Sequence, residues 1–389
     1  MKAFEQANVY LTGNGIVRCN LVFDGTIRSI GDDVGDAQVI DLPKDALVLP
    51  GFIDVHVHGA GAQDTMDANT DALFIMSETL AKEGTTSYLA TTMSQTEEKI
   101  TAALLSVKKY RSMHSECGAR LIGVHLEGPY LATKRAGAQA PENILAPSIE
   151  EFDRYYAASG ECIRIVSLAP ERNGALGFIR HLRTLGITPS IGHTDAGHDD
   201  IRLAMEAGAC SVTHTYNAQS PLHHRDIGAV GCALLYDELY TELIADTIHV
   251  SVPAMRLLCK NKPHDKVVLI TDAMRAKGLG NCESELGGQT VIVKNGEARL
   301  LSGALAGSVL PMNRAVANMV NVVGIPLAQA VDYATKNPAT LLGMYDRIGS
   351  IATGKCADFT VVDPDLNVLY TVRGGKIVYD AKGDAKNPS

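Results

Sequence analysis

Eight short apolar runs alternate with segments of helical periodicity between residues 51 and 342, and this alternation limits the folds open to the chain. Parallel strands need a long crossover connection, which a helix supplies, so repeated strand–helix units favour a parallel sheet. Eight such units favour an α/β fold, a (β/α)8 TIM-like barrel, over the alternative of a doubly wound open sheet. The predicted strands cover residues 52–58, 87–92, 121–127, 163–169, 188–193, 211–215, 240–246 and 266–272.

Local signals place two helix starts and a hairpin in this region. Ser94 and Glu97 have the spacing of a capping box, in which two side chains close the first turn of a helix. Ser148 and Glu151 have the same spacing. Asn295-Gly296 lies between two apolar runs and predicts a hairpin inserted after the eighth strand.

Both ends of the chain alternate apolar and polar residues with turn pairs between them, which predicts short antiparallel strands. Neither end alone could cover both faces of its sheet, so pairing the two ends into one β-sandwich is the economical solution. We therefore predict a small β-sandwich domain from residues 1–50 and 343–389, and a barrel domain from residues 51–342.

Composition and charge narrow the expected partners and compartment. The net charge of −9, without a basic cluster, argues against nucleic acid and against an anionic membrane as partners. No apolar run approaches the roughly 18 residues of a membrane span, and the N-terminus lacks the apolar core of a signal peptide. The eight cysteines are scattered without a C-x-x-C pair, which indicates reduced thiols. We therefore expect a cytoplasmic protein.

Polar residues that can bind a metal stand at the ends of the predicted strands. His56 and His58 are two residues apart, so their side chains leave the same face of a strand, about 7 Å apart along it. The active sites of (β/α)8 barrels lie at the carboxyl ends of the strands, where such residues converge. The residues that end later strands in the same way are Glu127, His193, His214 and Asp272.

The residue types at these strand ends are those that bind zinc or iron. Glu127, His193 and His214 together suit Zn²⁺ or Fe²⁺. His56 and His58 offer ligands for a second ion or complete the coordination of the first, so one or two ions per chain remain open. Asp272 is placed to accept a proton from a metal-bound water. The alternative for Asp272 is a further metal ligand, and both roles can hold in one enzyme.

The same residues in the same order resemble the active-site set of the amidohydrolase superfamily. Longer strings extend the resemblance over nearly the whole chain, to the branch that deacetylates amino-sugar phosphates. These strings are His125-Leu-Glu-Gly-Pro-Tyr130, Ile191-Gly-His-Thr194, Thr213-His-Thr-Tyr-Asn-Ala218, Ile244-Ala-Asp-x-x-His249, Thr271-Asp-Ala273, Leu305-Ala-Gly-Ser308, Asn337-Pro-Ala-x-x-Leu-Gly343 and Gly354-Lys-x-Ala-Asp358.

The resemblance implies a metal-dependent hydrolase that converts N-acetylglucosamine 6-phosphate into glucosamine 6-phosphate and acetate, with Asp272 as its catalytic residue. Gln139 stands where several relatives have a histidine near the acetyl carbonyl, and glutamine can donate a hydrogen bond there but cannot carry a proton. In some relatives a second subunit lends the arginine that matches Arg225, so a homodimer is implied. The substrate-binding residues that the resemblance implies are Ala138, Gln139, Asn217, Ala218, Arg225, Asp246, His249, Leu305, Ala306 and Gly307.

Three alternatives remain at this point. Deacetylation of N-acetylgalactosamine 6-phosphate involves an epimer that differs at one hydroxyl, and no motif decides between the two sugars. Hydrolysis of a cyclic amide is disfavoured, because such enzymes commonly use a carboxylated lysine bridge and Glu127 occupies the strand end that the bridge would need. The more distant alternative is a metal-binding scaffold without catalysis, which turnover of any acetylated sugar phosphate would exclude.

Overall fold

Parallel strands and helices alternate through the middle of the chain in the computed structural model, which describes residues 1–384. The strands are β1 (Lys2–Leu11), β2 (Gly15–Phe23), β3 (Ile27–Ile30), β4 (Gln38–Val39), β5 (Leu47–Pro50), β6 (Phe52–Val57), β7 (Gly59–Ala60), β8 (Gln63–Asp64), β9 (Thr85–Thr91), β10 (Arg120–Glu127), β11 (Ile163–Leu168), β12 (Thr188–Ile191), β13 (Ser211–Val212), β14 (Tyr240–Ile244), β15 (Val267–Ile270), β16 (Cys282–Leu286), β17 (Gln289–Lys294), β18 (Glu297–Leu300), β19 (Phe359–Val362), β20 (Val368–Arg373) and β21 (Lys376–Asp380).

The α-helices lie mainly between the parallel strands. They are α1 (Thr70–Ala81), α2 (Glu97–Ser112), α3 (Ile149–Ala158), α4 (Ala175–Thr184), α5 (His198–Ala207), α6 (Gly228–Leu235), α7 (Val252–Asn261), α8 (Met312–Asn318), α9 (Leu327–Ala334), α10 (Lys336–Leu341) and α11 (Ala381–Asp384). A turn of π-helix, Met319–Val323, follows α8. Within residues 1–384, no helix has both the length and the apolar character needed to cross a membrane.

Eight parallel strands form the barrel, in the order β6, β9, β10, β11, β12, β13, β14 and β15. The ring closes between its first and last strands, where the Asp272 N–H donates to the His56 carbonyl at 2.8 Å and the His58 N–H donates to the Ala273 carbonyl at 2.9 Å. The predicted barrel is therefore confirmed, and the open-sheet alternative is set aside. Each predicted strand overlaps an observed one.

Seven of the eight predicted strands end earlier in the structure, and three of these end two residues before a residue with a left-handed backbone. His193, His214 and Asp272 lie just beyond β12, β13 and β15, with φ angles of 46°, 29° and 47°. A left-handed backbone cannot continue a strand, so the hydrogen-bonding ladder stops before each of these residues. Apolar patterning alone does not reveal this change of backbone conformation, which explains why these three predicted strands were too long.

One of the two helix-start predictions is confirmed in part, and the other is wrong. Ser148 caps α3, because its hydroxyl accepts the Glu151 N–H at 3.3 Å, but the Glu151 carboxylate binds the Tyr130 hydroxyl instead of closing the box. The capping box predicted at Ser94 is wrong. Helix α2 begins two residues later than predicted, after Thr96, because the Ser94 N–H is held by the side chain of Gln139.

The predicted insertion after the eighth strand is present as a three-stranded antiparallel sheet, β16–β17–β18. Asn295 and Gly296 form its second turn with φ angles of 53° and 82°. Two positive φ angles in a two-residue loop are the geometry that Asn-Gly favours. Because the insertion follows β15, it stands at the end of the barrel where the carboxyl ends of the strands meet.

Strands from both ends of the chain form a second sheet, in the order β21-β20-β19-β5-β1-β2-β3, with β4 beside β1. The sheet curls so that the Ile27 N–H donates to the Lys355 carbonyl at 2.8 Å. Inside the curl, Phe4, Phe23 and Phe359 pack with ring centroids 5.0–5.9 Å apart. The termini therefore build one strand-rich unit with its own core, as predicted, and residues 1–50 and 343–389 remain our proposed bounds for it.

The aromatic cluster gives a test of the joint between the two termini. Phe359→Ala should lower the free energy of unfolding by about 3–5 kcal/mol, because it leaves a cavity among rings from both ends of the chain. Urea unfolding followed by circular dichroism measures this. Phe74→Ala, at a 36% exposed position on α1, is the matched control and should cost much less. Equal losses in the two variants would contradict a shared terminal core.

Candidate active site

A cavity opens at the carboxyl ends of the barrel strands. Most of the residues predicted for the site line it together. They are His58, Glu127, Ala138, Gln139, His193, His214, Asn217, Ala218, His249, Asp272, Leu305 and Gly307. The fold therefore brings residues from seven widely spaced parts of the sequence to one place.

Three donor atoms converge on one side of the cavity, from Glu127, His193 and His214. The Nε2 atoms of the two histidines lie 3.0 Å apart, and each is 3.0–3.2 Å from the Glu127 Oε1 atom. Ligand atoms around a tetrahedral zinc ion, bound at about 2.0–2.1 Å, lie about 3.3–3.4 Å from one another. The spacing of this group, the first trio, therefore fits the coordination of one small divalent ion.

A second trio consists of His56, His58 and Asp272. The Asp272 Oδ1 atom is 3.2 Å from the His58 Nε2 atom and 3.5 Å from the His56 Nε2 atom. Glu127 links the two trios, because its Oε2 atom is 3.3 Å from the His58 Nε2 atom while its Oε1 atom faces the first trio. The arrangement offers either two adjoining ion positions or one ion with a larger set of ligands.

The left-handed backbone at three of these residues aims their side chains. A strand would send successive side chains to opposite faces, whereas the positive φ angles of His193, His214 and Asp272 turn the chain just beyond its strand. A positive φ is uncommon for residues other than glycine and costs of order 1–3 kcal/mol. The surrounding contacts offset that cost and hold the three side chains toward the cavity.

Electrostatics at the site favour a concentrated positive charge. Burial raises the pKa of Asp272, but His56 and His58 beside it lower that pKa to about 2. For His214, burial lowers the pKa, while the hydrogen bond and charge of Glu127 raise it to about 9. Both shifts arise from the attraction between the buried carboxylates and the neighbouring imidazoles. A bound cation would be attracted to the same carboxylates.

Two further contacts fix the first trio. The His193 Nδ1 atom lies 2.8 Å from the Arg135 carbonyl, so Nδ1 carries the hydrogen and the Nε2 lone pair faces the cavity. Gln139 donates from Nε2 to the Glu127 Oε2 atom at 2.7 Å, and its Oε1 atom accepts the Ser94 N–H at 2.7 Å. The amide of Gln139 therefore lines the cavity while it bonds Glu127, and its expected contact with an acetyl group stays a prediction.

Three predicted substrate residues do not line the cavity. Asp246 lies behind His249, whose Nδ1 atom it holds at 2.6 Å. Ala306 is buried in an apolar cluster with Met274, and its N–H donates to the Ala298 carbonyl. Arg225 is exposed in a loop, and its guanidinium lies 2.9 Å from the ring of the neighbouring His224. His56, a predicted ligand, lies fully buried beneath the cavity.

Sequence reasoning missed several residues around the site. Met93 and Leu286 supply an apolar wall of the cavity, and Leu286 comes from the inserted sheet β16–β18. Glu242 and His125 lie below the two trios and are fully buried. A charged residue in the middle of a parallel strand, which is buried on both faces, is the signal that could have found Glu242.

A search of protein-family models adds independent information about this arrangement. The model of the amidohydrolase family matches residues 47–378, which include both trios. The chain belongs to the amidohydrolase family.

Individual relatives narrow the branch of the amidohydrolase family. The chain is 42% identical over 374 residues to N-acetylglucosamine-6-phosphate deacetylase from Bacillus subtilis (strain 168), covering 95% of this chain and 94% of the relative. It is 39% identical over 322 residues to N-acetylgalactosamine-6-phosphate deacetylase from Escherichia coli O157:H7, covering 83% and 85%. The crystal structure of N-acetylglucosamine-6-phosphate deacetylase from Pasteurella multocida superposes with a TM-score of 0.91 at 34% identity, covering 97% of this chain and 99% of that one.

The first trio predicts a specific loss of metal. His193→Ala should reduce the bound divalent metal by at least one ion per chain, because Glu127 and His214 alone leave an incomplete set of ligands. Inductively coupled plasma mass spectrometry of purified protein measures the content. His181→Ala, which removes a histidine paired with Asp153 outside the cavity, should leave it unchanged. Full metal content in the His193 variant would contradict the assignment of this trio.

Proposed function

We propose that this amidohydrolase removes the acetyl group from N-acetylglucosamine 6-phosphate and releases glucosamine 6-phosphate and acetate. The observation that carries the proposal is the position of the Asp272 carboxylate. It lines the cavity beside a trio suited to a divalent ion. A proton acceptor would therefore lie next to the ion that polarises the acetamide carbonyl. Acetate release from a panel of N-acetylhexosamine phosphates, with metal analysis of the same sample, tests it.

The donor atoms fit one or two ions of zinc or iron. The His56 Nε2 atom is buried and has no hydrogen-bond partner among the described residues, as expected for a lone pair reserved for a metal. Imidazole nitrogens and carboxylate oxygens are the ligands that zinc and iron accept. A divalent ion held here would polarise the acetamide carbonyl and lower the pKa of a water molecule.

Asp272 moves the proton in the proposed reaction. Its Oδ1 atom lies 3.5 Å from His56 and 3.2 Å from His58, and its side chain lines the cavity. There it takes the proton of the water that attacks the acetyl carbon. Asp272 then gives that proton to the nitrogen as the C–N bond breaks, because an amine leaves poorly without it.

The rest of the cavity supports binding of a sugar phosphate. Asp246 fixes the His249 ring through Nδ1, which leaves the other ring nitrogen available to a phosphate oxygen. Asn217 offers a side-chain amide to the sugar. Leu286 and Leu305 bring apolar surface to the cavity and keep water away from the sugar face.

We propose that the working unit is a homodimer in which Arg225 reaches the site of a second copy. The residues that line the cavity include no lysine or arginine, although the substrate carries a phosphate. Arg225 is exposed and outside its own cavity, so a neighbouring chain is a consistent place for it. The eight free cysteines support our expectation of a reducing, cytoplasmic setting.

The galacto epimer is the second candidate substrate. The observation that favours it is the 39% identity to a relative named for N-acetylgalactosamine 6-phosphate, which is close to the 42% identity to a relative named for N-acetylglucosamine 6-phosphate. Comparison of kcat/KM for the two epimers decides between them.

Loss of the proposed proton carrier should abolish most turnover without removing the metal. We expect Asp272→Asn to reduce kcat by about 10²- to 10⁴-fold, the usual range for one general acid or base. Metal content, measured on the same preparation, should stay close to normal. Asp265→Asn, at an exposed aspartate near the start of β15, is the control and should keep full activity. Parallel loss of metal and activity would make Asp272 mainly a ligand.

Loss of a proposed phosphate contact should impair hydrolysis of the phosphorylated substrate only. His249→Ala and Arg225→Ala should each reduce kcat/KM for N-acetylglucosamine 6-phosphate by about ten- to a hundredfold, since a charge-assisted hydrogen bond contributes about 1.5–3 kcal/mol. Hydrolysis of N-acetylglucosamine itself should change little. His264→Ala and Arg18→Ala, at exposed positions, are the matched controls.

Mixing two inactive variants tests the shared site. After subunit exchange, an Arg225→Ala chain and an Asp272→Asn chain should recover part of the activity, because a hybrid dimer contains one intact site. Absence of recovery after verified exchange would assign Arg225 to its own chain, and equal losses on both substrates would show that neither residue contacts the phosphate.

A further inference from the structure

Glu242 is a buried carboxylate that the proposed reaction does not use. It lies in the middle of β14, and none of its surface is exposed. Within residues 1–384, its only ion-pair partner is His56, so no lysine or arginine compensates its charge directly. Burying a carboxylate is costly unless it is paired and hydrogen-bonded, so its contacts should explain why it is there.

One oxygen of Glu242 contacts a member of each trio. The Oε2 atom lies 3.0 Å from the His56 Nδ1 atom and accepts the backbone N–H of His214 at 3.2 Å. Because this oxygen already acts as the acceptor for the His214 N–H, its contact with His56 places the hydrogen on Nδ1. The His56 Nε2 atom is then unprotonated, and its lone pair faces Glu127 and Asp272, each at 3.5 Å.

The neighbouring His125 does not turn this group into another cation site. Its ring lies against that of His56, tilted by 59° with centroids 4.4 Å apart, but both of its nitrogens are occupied. Its Nδ1 atom bonds the Val55 carbonyl at 3.0 Å, and its Nε2 atom bonds the Ser167 hydroxyl at 2.7 Å. His125 therefore packs against the His56 ring, while the contact with Glu242 sets the rotation of that ring and the position of its hydrogen.

We propose that Glu242 is the positioning residue for His56, and that binding of a divalent ion by His56, His58 and Asp272 depends on it. A carboxylate that accepts the second N–H of a metal-binding histidine sets its tautomer, holds its ring and makes it more basic. This inference rests on the proposed function for the presence of a metal. It adds that the carboxylate beneath the site decides how firmly the second trio holds an ion.

Metal affinity is the direct measure of this role. Apoprotein would be titrated with Zn²⁺ in competition with a chromophoric chelator, and the bound ions counted after gel filtration. Glu242→Gln keeps the size of the side chain but removes its charge, and we expect about 10- to 100-fold weaker binding of one ion per chain. The control is Thr241→Val on the same strand, whose hydroxyl bonds the Lys266 carbonyl instead of the site.

A double-mutant cycle separates positioning from a general effect on folding. If Glu242 acts through His56, then Glu242→Gln should weaken zinc binding no further in a chain that already carries His56→Ala. A structural role would instead give additive losses, and additive losses would overturn the proposal. Unchanged zinc affinity and stoichiometry in Glu242→Gln would also overturn it.

Two additional measurements keep the result interpretable. If Glu242→Gln does not fold, Glu242→Asp replaces it, because it keeps the charge but withdraws the carboxylate by about 1.5 Å, the length of one C–C bond. Weaker zinc binding is again the expected result, and full binding contradicts the proposal. Acetate release by the unaltered chain tests the proposed function separately. If the zinc measurements support the role of Glu242 but the chain releases no acetate, only the proposed function is refuted.

Discussion

The active site depends on the hydrogen bonds that close the barrel between β6 and β15. Asp54 is buried on β6, and its carboxylate accepts the Thr271 hydroxyl at 2.5 Å and the His56 N–H at 3.2 Å. Together with the backbone bond from Asp272 to His56, these contacts bring the first and last strands of the ring into one register. His58 and Asp272, which are more than 200 residues apart in sequence, meet only because this seam is closed.

The sequence predicted the barrel because its signals are local and repeated. Each parallel strand is a short run of apolar residues, and each helix interrupts the runs at a similar interval, so eight repeats outweigh an error in any one of them. The terminal sheet was predicted from alternation in the same way. What local patterning could not supply was the conformation of His193, His214 and Asp272, since a positive φ for such residues arises from tertiary contacts that no neighbouring residue encodes.

The polar residues of the site also differ in how well the sequence predicts them. Glu127 and the histidines were predicted because metal-binding side chains at strand ends are conspicuous. Gln139 was named, but its contact with Glu127 was not foreseen, because an amide between two loops gives no sign of which group it will hold. Glu242 and Asp54 were missed, although a carboxylate inside a buried parallel strand is itself unusual and needs a partner. An acidic residue within an apolar strand is thus the sequence signal that points to both residues.

Charge explains why such carboxylates gather beneath one cavity. Asp54, Glu127, Glu242 and Asp272 are all buried, and the positive charge of Lys277, which is 1% exposed, acts on Asp54. Lys277 donates to Glu83 at 2.7 Å, so part of its charge is already compensated by another acid. The interior of the barrel therefore carries an excess of negative charge that attracts protons or a divalent cation. The same field would repel a phosphate, so the proposed contact with His249 needs distance from these carboxylates, and any further positive charge has to come from outside the cavity.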